Sequence, residues 1–380
     1  MTTVSQGPVG SLDGVVVADF TRVLAGPYAT MLLGDLGAHV VKVERAGVGD
    51  DTRSWAPPRD SEGRATYFES VNRNKRSLSL DLRDPADRER ALTLALSADV
   101  VVENFVPGTM EKFGLGFEQL RALNPGVVYA SITGFGTAPA GRELPGYDLL
   151  VQASGGLMSV TGATPGQPTK VGVAVVDVIT GLHLTIGVLA ALRHRDRTGE
   201  GQRVDVALLS SLLSALVNQS ASYVNGGVVP GIMGNAHPSI VPYESYPTAD
   251  RDLVIAVGND GQFRSLCRVL GHEQWADDAR FATNTARVAH RHDLGGLLVA
   301  VLRTRPADEW WGELTPAGVP CGPINDIAEA FALAESVGLE PVAVIDDPNR
   351  PGVPTVANPI RLSATPPTYR LAPPALGGQS

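Results

Sequence analysis

Asp177 is the residue most suited to covalent chemistry. It follows the apolar run VGVAVV at 171–176 and precedes a predicted helix over 178–193. A carboxylate at a helix amino terminus is stabilised by the helix dipole and can act as a nucleophile without a partner base. The same position suits an N-cap, which contributes about 1 kcal/mol to stability. Both interpretations are open from the residues alone.

Three polar segments follow predicted strands: 71–77, 103–114 and 146–148. Ligands of open α/β sheets bind at the carboxyl ends of the strands, so these segments are candidate binding regions. They concentrate positive charge in an otherwise acidic chain, as a phosphate-bearing ligand requires. Each cation taken singly also fits a solvated surface. The cations concerned are Arg73, Lys75, Arg76 and Lys112.

The sequence lacks the motifs of several common binding and catalytic sites. No G-x-G-x-x-G follows the first predicted strand, which argues against NAD. No G-x-S-x-G elbow or metal-ligand spacing occurs, which argues against a triad hydrolase or metalloenzyme. Glu44 could bind a ribose, and Arg45 beside it would suit a phosphorylated one; a solvated Glu–Arg pair is the alternative.

The elements that position these residues alternate between strand and helix. Near-continuous apolar strands separated by helices predict a parallel, doubly wound sheet covered on both faces. Asp84 and Pro85 are a good cap and first-turn pair for one of the helices. The predicted strands are 14–20, 39–44, 77–82, 99–105 and 127–136, with helices at 27–36, from 84, and at 207–219.

The chain divides by composition. We predict a large α/β domain over 1–220, linkers and a smaller α+β domain over 221–330, and a segment over 331–380 that returns to the large domain. The smaller domain includes a strand at 252–258. The apolar stretch 171–192 is interpreted as a strand leading into a buried helix, because Asp177 and His183 make a membrane span costly.

Composition excludes some partners. The 380 residues carry 31 Lys and Arg against 40 Asp and Glu, a net charge of −9, so nucleic acid is not expected as a partner. Two cysteines, Cys267 and Cys321, and an amino terminus without a signal-peptide pattern predict a cytoplasmic protein. We expect no membrane partner.

Several ordered blocks along the chain resemble the class III CoA-transferase family. The likeness runs over about 11–378 and is closest to the succinyl-CoA:glutarate (dicarboxylate) transferases. It implies a Rossmann-like large domain, a small middle domain and an interlocked homodimer. The blocks include VLAGPYATMLLGDLGAHVVKVER, GDDTRSWAPP, SVNRNKRSLSLDL, VVENFVPGTMEKFGLG, VAVVDVITGLHL, RTGEGQRVDVALL, GNAHPSIVPY and GVPCGPIND.

The resemblance also implies roles for residues. Asp177 matches the family's catalytic aspartate, which carries CoA as an aspartyl thioester between an acyl-CoA and a free carboxylic acid. Tyr147 matches an active-site tyrosine. Acyl-CoA is then a substrate, and no tightly bound cofactor or metal is expected. The predicted CoA-binding set is Val23, Ala25, Arg45, Asn74, Lys75, Asn104, Phe105, Lys112 and Tyr147.

Departures from relatives limit the substrate. Leu24 replaces a glutamine of formyl-CoA:oxalate transferases, and GNAHPSIVPY replaces their glycine run, so oxalate and formate are not expected. For a dicarboxylate, Arg53, Arg59 and Lys170 are candidate partners of the non-reacting carboxylate.

Two other functions stay open from the sequence. An α-methylacyl-CoA racemase shares the fold, but Tyr147 stands where racemases have a histidine base, and a phenol of pKa near 10 is a poor base. A CoA-binding protein without catalysis is the other alternative, although the candidate nucleophile is intact.

Overall fold

The structure is a computed structural model that describes residues 10–378, which form two compact units. The first unit contains the chain up to Leu157, Val171–Val228 and the chain from Glu340 onward. The second contains Met158–Lys170 and Val229–Leu339.

The first unit is built on a parallel sheet of six strands in the order β3-β2-β1-β4-β5-β6. This order confirms the predicted doubly wound sheet. The strands run in parallel, and the direction in which successive strands are added to the sheet reverses between β1 and β4. The ends of five predicted strands, 14–20, 39–44, 77–82, 99–105 and 127–136, lie within three residues of the ends of β1 to β5. The strands are β1 (Val16–Asp19), β2 (His39–Arg45), β3 (Lys75–Leu80), β4 (Val100–Glu103), β5 (Val128–Thr133) and β6 (Arg203–Ala207).

Helices cover both faces of this sheet. On one face the buried side chains of α1 and α8 pack against β1, β4 and β5; on the other, Ala91 and Ala95 of α3 and Leu120 of α5 are buried. Asp84 caps α3 by accepting from the backbone N–H groups of Ala86 and Asp87, as predicted. The helices are α1 (Ala25–Asp35), α2 (Thr66–Val71), α3 (Pro85–Ser97), α4 (Thr109–Lys112), α5 (Phe117–Leu123), α6 (Asp148–Ser154), α7 (Leu157–Val160), α8 (Val175–Thr198), α9 (Leu208–Ala215) and α10 (Val217–Val224).

Helix α8 differs from the prediction at its start. The strand expected before Asp177 is absent, because α8 already begins at Val175. Asp177 is therefore the third helical residue, and Ala174 occupies the N-cap position, so the prediction of Asp177 as an N-cap is wrong. Among the described residues, α8 is also the one helix long and apolar enough to cross a membrane, a property that core helices of soluble proteins share.

The helix predicted over 207–219 is interrupted. It divides into α9 and α10 at Val217, whose φ of 40° lies in the left-handed region and does not continue a right-handed helix.

The second unit has an antiparallel sheet of three strands packed with helices, as the α+β prediction requires. Its core includes Leu253, Ile255, Phe263, Leu298 and Trp310. The elements are β7 (Tyr243–Pro247), β8 (Asp252–Ala256), α11 (Asp260–Val269), α12 (Asn284–Ala289), α13 (Arg291–Leu302), α14 (Ala307–Leu314), β9 (Cys321–Pro323) and α15 (Ile327–Ser336).

The unit boundaries differ from the predicted ones. The second unit runs over Val229–Leu339 instead of 221–330 and also takes in Met158–Lys170. This early segment joins it because Gly162 lies against Ile232 and Gly234 lies against Ala163.

The carboxyl-terminal segment returns to the first unit. It forms a hairpin of β10 (Val342–Ile345) and β11 (Val353–Val356). Beyond the hairpin, the Asn74 side chain accepts from the backbone N–H of Arg370 at 2.7 Å and donates to the carbonyl of Thr368 at 2.7 Å.

Candidate functional site

A cavity of about 670 Å³ lies in the first unit at the carboxyl ends of β1 and β4. This is the point where the strand order reverses, at which doubly wound proteins bind their ligands. Its lining brings together six of the predicted site residues, namely Val23, Ala25, Asn104, Phe105, Tyr147 and Asp177.

Asp177 reaches this cavity because α8 packs closely on the start of α1. Gly181, one turn after Asp177, makes this approach possible: a Cβ there would stand 2.6 Å from the Ala25 carbonyl oxygen. Any larger side chain at residue 181 would push the two helices apart.

The first turn of α8 is capped by a residue of another helix. Ala174 provides no side-chain cap. Instead, Oδ1 of Asp148 accepts from the N–H groups of Val176, at 2.8 Å, and of Asp177, at 3.2 Å. Oδ2 of Asp148 accepts from Gln152 at 2.6 Å. Asp148 is therefore a positioning residue that the sequence analysis did not single out.

The electrostatic surroundings of Asp177 differ from the expectation. Burial, followed by the negative charge of Asp148, raises the pKa of Asp177 to about 7. The helix dipole was expected to stabilise the anion, but desolvation outweighs it. At neutral pH the protonated and ionised forms of Asp177 coexist.

An apolar wall adjoins Asp177 and explains this desolvation. Leu24 and Val71 form its buried part, with Tyr67 and Val178 packed against them. Burial and the nearby Asp177 charge raise the pKa of Tyr67. Trp55, which lines the cavity, meets Tyr67 edge-on with ring centroids 5.4 Å apart.

The turn between β1 and α1 carries Val23 and Ala25. The side-chain amide of Asn104 accepts from the Arg22 N–H at 3.0 Å and donates to the Arg22 carbonyl at 2.8 Å. Asn104 therefore holds this turn as well as lining the cavity. The guanidinium of Arg22 lies 5.6 Å from the centre of the Phe105 ring.

A second cavity, of about 210 Å³, adjoins the first and shares Arg22, Asp51 and Phe105 with it. Arg45 lines this second cavity. Lys112 ends α4 next to Phe113, another lining residue, but Lys112 itself lines neither cavity.

Two members of the predicted CoA-binding set point into the protein. Lys75 is 1% exposed, and its Nζ donates to the carbonyl of Pro27, to Asn72 and to Asp19. Asn74 is buried and binds the carboxyl-terminal segment. Neither lines either of these cavities, because internal partners occupy their polar atoms.

Glu44 and Arg53 are also engaged internally. The Arg53 guanidinium donates two hydrogen bonds to the Glu44 carboxylate, at 2.8 and 2.7 Å. Glu44 further accepts from Ser77 at 2.6 Å. The carboxylate of Glu44 also accepts from the Asp50 N–H at 2.9 Å, which leaves no contact for a ribose. The Arg53 guanidinium is directed to Glu44 and to the Pro374 carbonyl, at 3.0 Å.

Two arginines that the sequence analysis missed line the main cavity. They are Arg22 and Arg142, and Arg142 donates to the carbonyl of Pro107 at 3.3 Å. Arg22 follows β1 directly, so its place at a strand end was a usable signal. Arg142 lies in a loop that no predicted element positions.

Comparison with known proteins places this chain among the CoA-transferases. The chain belongs to CoA-transferase family III, whose model matches residues 12–380. This confirms the resemblance predicted from the sequence blocks.

The chain is similar to curated transferases of dicarboxylates. It is 45% identical to succinate–glutarate CoA-transferase of Agrobacterium fabrum, over 96% of this chain and 93% of that protein. It is 43% identical to succinyl-CoA:mesaconate CoA-transferase of Haloarcula marismortui, over 95% and 92%. A crystal structure of a CAIB/BAIF family protein from Brucella suis matches with a TM-score of 0.85 at 43% identity, covering 98% of this chain and 97% of that one.

The raised pKa of Asp177 makes a prediction about stability. Well below the unfolded-state pKa of about 3.9, the carboxyl is protonated whether the chain is folded or unfolded, so Asp177→Asn should leave the free energy of unfolding unchanged. As pH rises towards 7, wild type loses stability because ionisation is harder in the folded state. Above pH 7 the variant should be more stable by roughly 4 kcal/mol, measured by urea unfolding.

The control is Asp196→Asn, which removes an exposed carboxylate near the other end of α8. Measured over the same pH range, it shows how far the loss of an exposed carboxylate alone changes the free energy of unfolding. A constant difference for Asp177→Asn across that range contradicts the raised pKa.

Proposed function

We propose that this protein transfers CoA from an acyl-CoA to a free carboxylic acid through an aspartyl-CoA thioester on Asp177. The transferase activity itself follows from its family and from its relatives. The observation that supports the aspartyl step is the position of Asp177, which lines one cavity with the turn after β1 and the turn after β4.

In the proposed mechanism the Asp177 carboxylate attacks the thioester carbonyl, forming a mixed anhydride and releasing CoA thiolate. The thiolate attacks the aspartyl carbonyl, which yields the aspartyl-CoA thioester and frees the donor acid. The acceptor carboxylate then attacks this thioester and again releases the thiolate. Attack of the thiolate on the new acyl carbonyl gives the product and restores Asp177.

Two features of the site support this chemistry. The apolar wall beside Asp177 limits the approach of water to the anhydride from that side and so slows its hydrolysis. The pKa of about 7 leaves a nucleophilic carboxylate at neutral pH while making it more basic than an exposed aspartate.

The second cavity supports binding of the CoA nucleotide. Arg22, Arg45 and Arg83 line it. Arg22 and Arg45 lie 3.7 and 3.9 Å from Asp51, and Arg83 is paired with Asp81. Guanidinium groups bind phosphate through paired hydrogen bonds. Because the second cavity adjoins the first, a bound CoA would run from these cations towards Asp177.

We further propose that one acid is a dicarboxylate, as the names of both similar transferases suggest. Arg53 is a weaker candidate for binding the second carboxylate, because its guanidinium already donates two hydrogen bonds to Glu44. Arg142 is proposed in its place, because it lines the Asp177 cavity and its guanidinium donates to the Pro107 carbonyl instead of pairing with an acid. Arg59 donates to the Gly63 carbonyl and does not line the cavity.

The racemase alternative has less support. Tyr147 is 65% exposed and lines the cavity where racemases would need a base, and a phenol does not serve as one at neutral pH.

The remaining expectations stay proposals. An interlocked homodimer is supported by apolar side chains that the single chain exposes on α8 and α10, such as Ile186 and Val224. A cytoplasmic location rests on the cysteine count, and both cysteines are free. Within residues 10–378 no group of three or more His, Cys, Asp or Glu could hold a metal ion.

The first prediction concerns the nucleophile. Asp177→Asn should abolish transfer, because an amide does not attack a thioester, and wild type incubated with succinyl-CoA and hydroxylamine should gain a hydroxamate on Asp177. The rate of this labelling should rise with pH through about 7 as the carboxylate ionises. Peptide mass analysis measures it.

Asp196→Asn serves again as control and should be labelled like wild type. Near-normal turnover of Asp177→Asn, after a check for deamidation, would refute the covalent mechanism.

The second prediction concerns the phosphates. Arg45→Ala and Lys112→Ala should each weaken CoA binding by roughly 1.5–3 kcal/mol and reduce its salt dependence, because each removes a charge-assisted contact. Titration calorimetry at two salt concentrations measures both. Arg90→Ala, an exposed arginine on α3, is the control. Unchanged affinity in both variants would make them ordinary surface cations.

The third prediction concerns the acid. Wild type should prefer glutarate to butyrate as acceptor, because the second carboxylate pairs with a cation that is otherwise left unpaired. Arg142→Gln should reduce the ratio of kcat/KM for glutarate to kcat/KM for butyrate about tenfold, whereas Arg59→Gln should leave this ratio unchanged. Equal specificity constants for the two acids in wild type exclude a dicarboxylate site but leave the transferase activity intact.

A further inference from the structure

Val23 has an unusual backbone conformation for a residue that lines the Asp177 cavity. Its φ is 71°, in the left-handed region, where a β-branched side chain is an outlier. Strain of this kind persists only where surrounding groups hold it.

The Val23 N–H is held by a buried carboxylate. It lies 3.3 and 3.4 Å from the two carboxylate oxygens of Asp50. Asp50 in turn accepts from the N–H and the hydroxyl of Thr52, at 3.0 and 2.7 Å, which fixes the carboxylate in place.

A buried lysine completes this contact. Nζ of Lys42 lies 2.8 Å from Oδ2 of Asp50 and donates to the Thr21 carbonyl at 2.8 Å, two residues before Val23. Neither side chain of the pair is exposed. Burial opposes the charge on Asp50, but Lys42 and the Thr52 hydrogen bonds outweigh it and lower the pKa of Asp50.

The other side of the turn is equally constrained. Asn104 binds both backbone groups of Arg22. Gly26 lies against Thr21 so closely that an added Cβ would stand 2.3 Å from the Thr21 Cβ. These contacts restrict the turn between Thr21 and Gly26, in addition to the hydrogen bonds that Lys42 and Asp50 make with it.

We propose that the buried Lys42–Asp50 ion pair is a positioning device that holds Val23 and Ala25 in the conformation that receives the acyl-CoA. A buried ion pair contributes little net stability compared with an apolar pair of similar volume, so stability does not explain its presence. The inference rests on the proposed function, because it assigns this cavity to acyl-CoA.

The test compares two apolar replacements. Lys42→Met/Asp50→Leu removes the pair without leaving an unpaired buried charge. Arg73→Met/Asp35→Leu removes another buried ion pair of the same unit, whose side chains line neither cavity. Both should fold, as checked by urea unfolding. The first should raise KM for succinyl-CoA and Kd for CoA about tenfold with KM for the acid within twofold, whereas the second should leave all three within twofold.

A double-mutant cycle at Val23 tests whether the ion pair affects CoA binding through the backbone conformation of Val23. Glycine adopts a positive φ without cost, whereas alanine removes the same methyl groups but keeps the strain. Asp50→Asn should therefore raise Kd for CoA about tenfold in a Val23→Ala background and no more than threefold in a Val23→Gly background. Equal effects in the two backgrounds, or equal effects of the two ion-pair replacements, overturn the proposal.

The proposed function and the positioning role of the ion pair can be refuted independently of each other. If wild type binds CoA but transfers it to no acid, the proposed function is wrong, and the Kd comparisons still decide the role of the ion pair. If transfer occurs and the Kd values do not differ as stated, only the positioning role is wrong.

Discussion

The adjacent strands β1 and β4 send their connections to opposite faces of the sheet, and the site depends on this divergence. The chain leaving β1 enters α1 on one face, and the chain leaving β4 enters α4 and α5 on the other. The two turns separate as they leave the sheet, so a gap opens between them. Helix α8 shares the face of α1, and its first turn brings Asp177 to the edge of that gap.

The buried charged side chains of the first unit pair with one another and thereby fix the position of the chain around the cavity. Lys42, Lys75 and Arg53 lie beneath or beside the cavity, yet each is paired with an acid of the same unit. Two further arginines, Arg22 and Arg142, line the cavity surface. Arg22 lies 3.7 Å from the partly exposed carboxylate of Asp51, and Arg142 donates to the Pro107 carbonyl. Burial, and after it the negative charge of Asp148, raises the pKa of Asp177 and leaves its carboxyl hard to ionise.

Sequence patterns predicted the strands of the first unit well because a parallel sheet buries both faces of each strand, and the resulting apolar runs are distinctive. The start of α8 was mispredicted because β-branched residues at 171–176 favour a strand, whereas Asp148, 28 residues before Val176, caps a helix there. Lys75 and Arg53 were assigned to ligands because residue type shows a charge but not its partner. Asp19 becomes the partner of Lys75 only when the folded sheet brings β1 and β3 to either side of β2, and Glu44 meets Arg53 only when the chain after β2 folds back.

The return of the chain to the first unit has a consequence for synthesis on the ribosome. Asn74 and Asp35 are buried early in the sequence, but Asn74 meets Arg370 across 296 positions, and Asp35 receives Asn358 across 323. Until those residues have left the exit tunnel, these polar groups stay hydrated and the edge of the sheet at β3 stays uncovered. The second unit is translated in this interval, so the nascent chain has to keep the first unit soluble and open while the inserted unit is made.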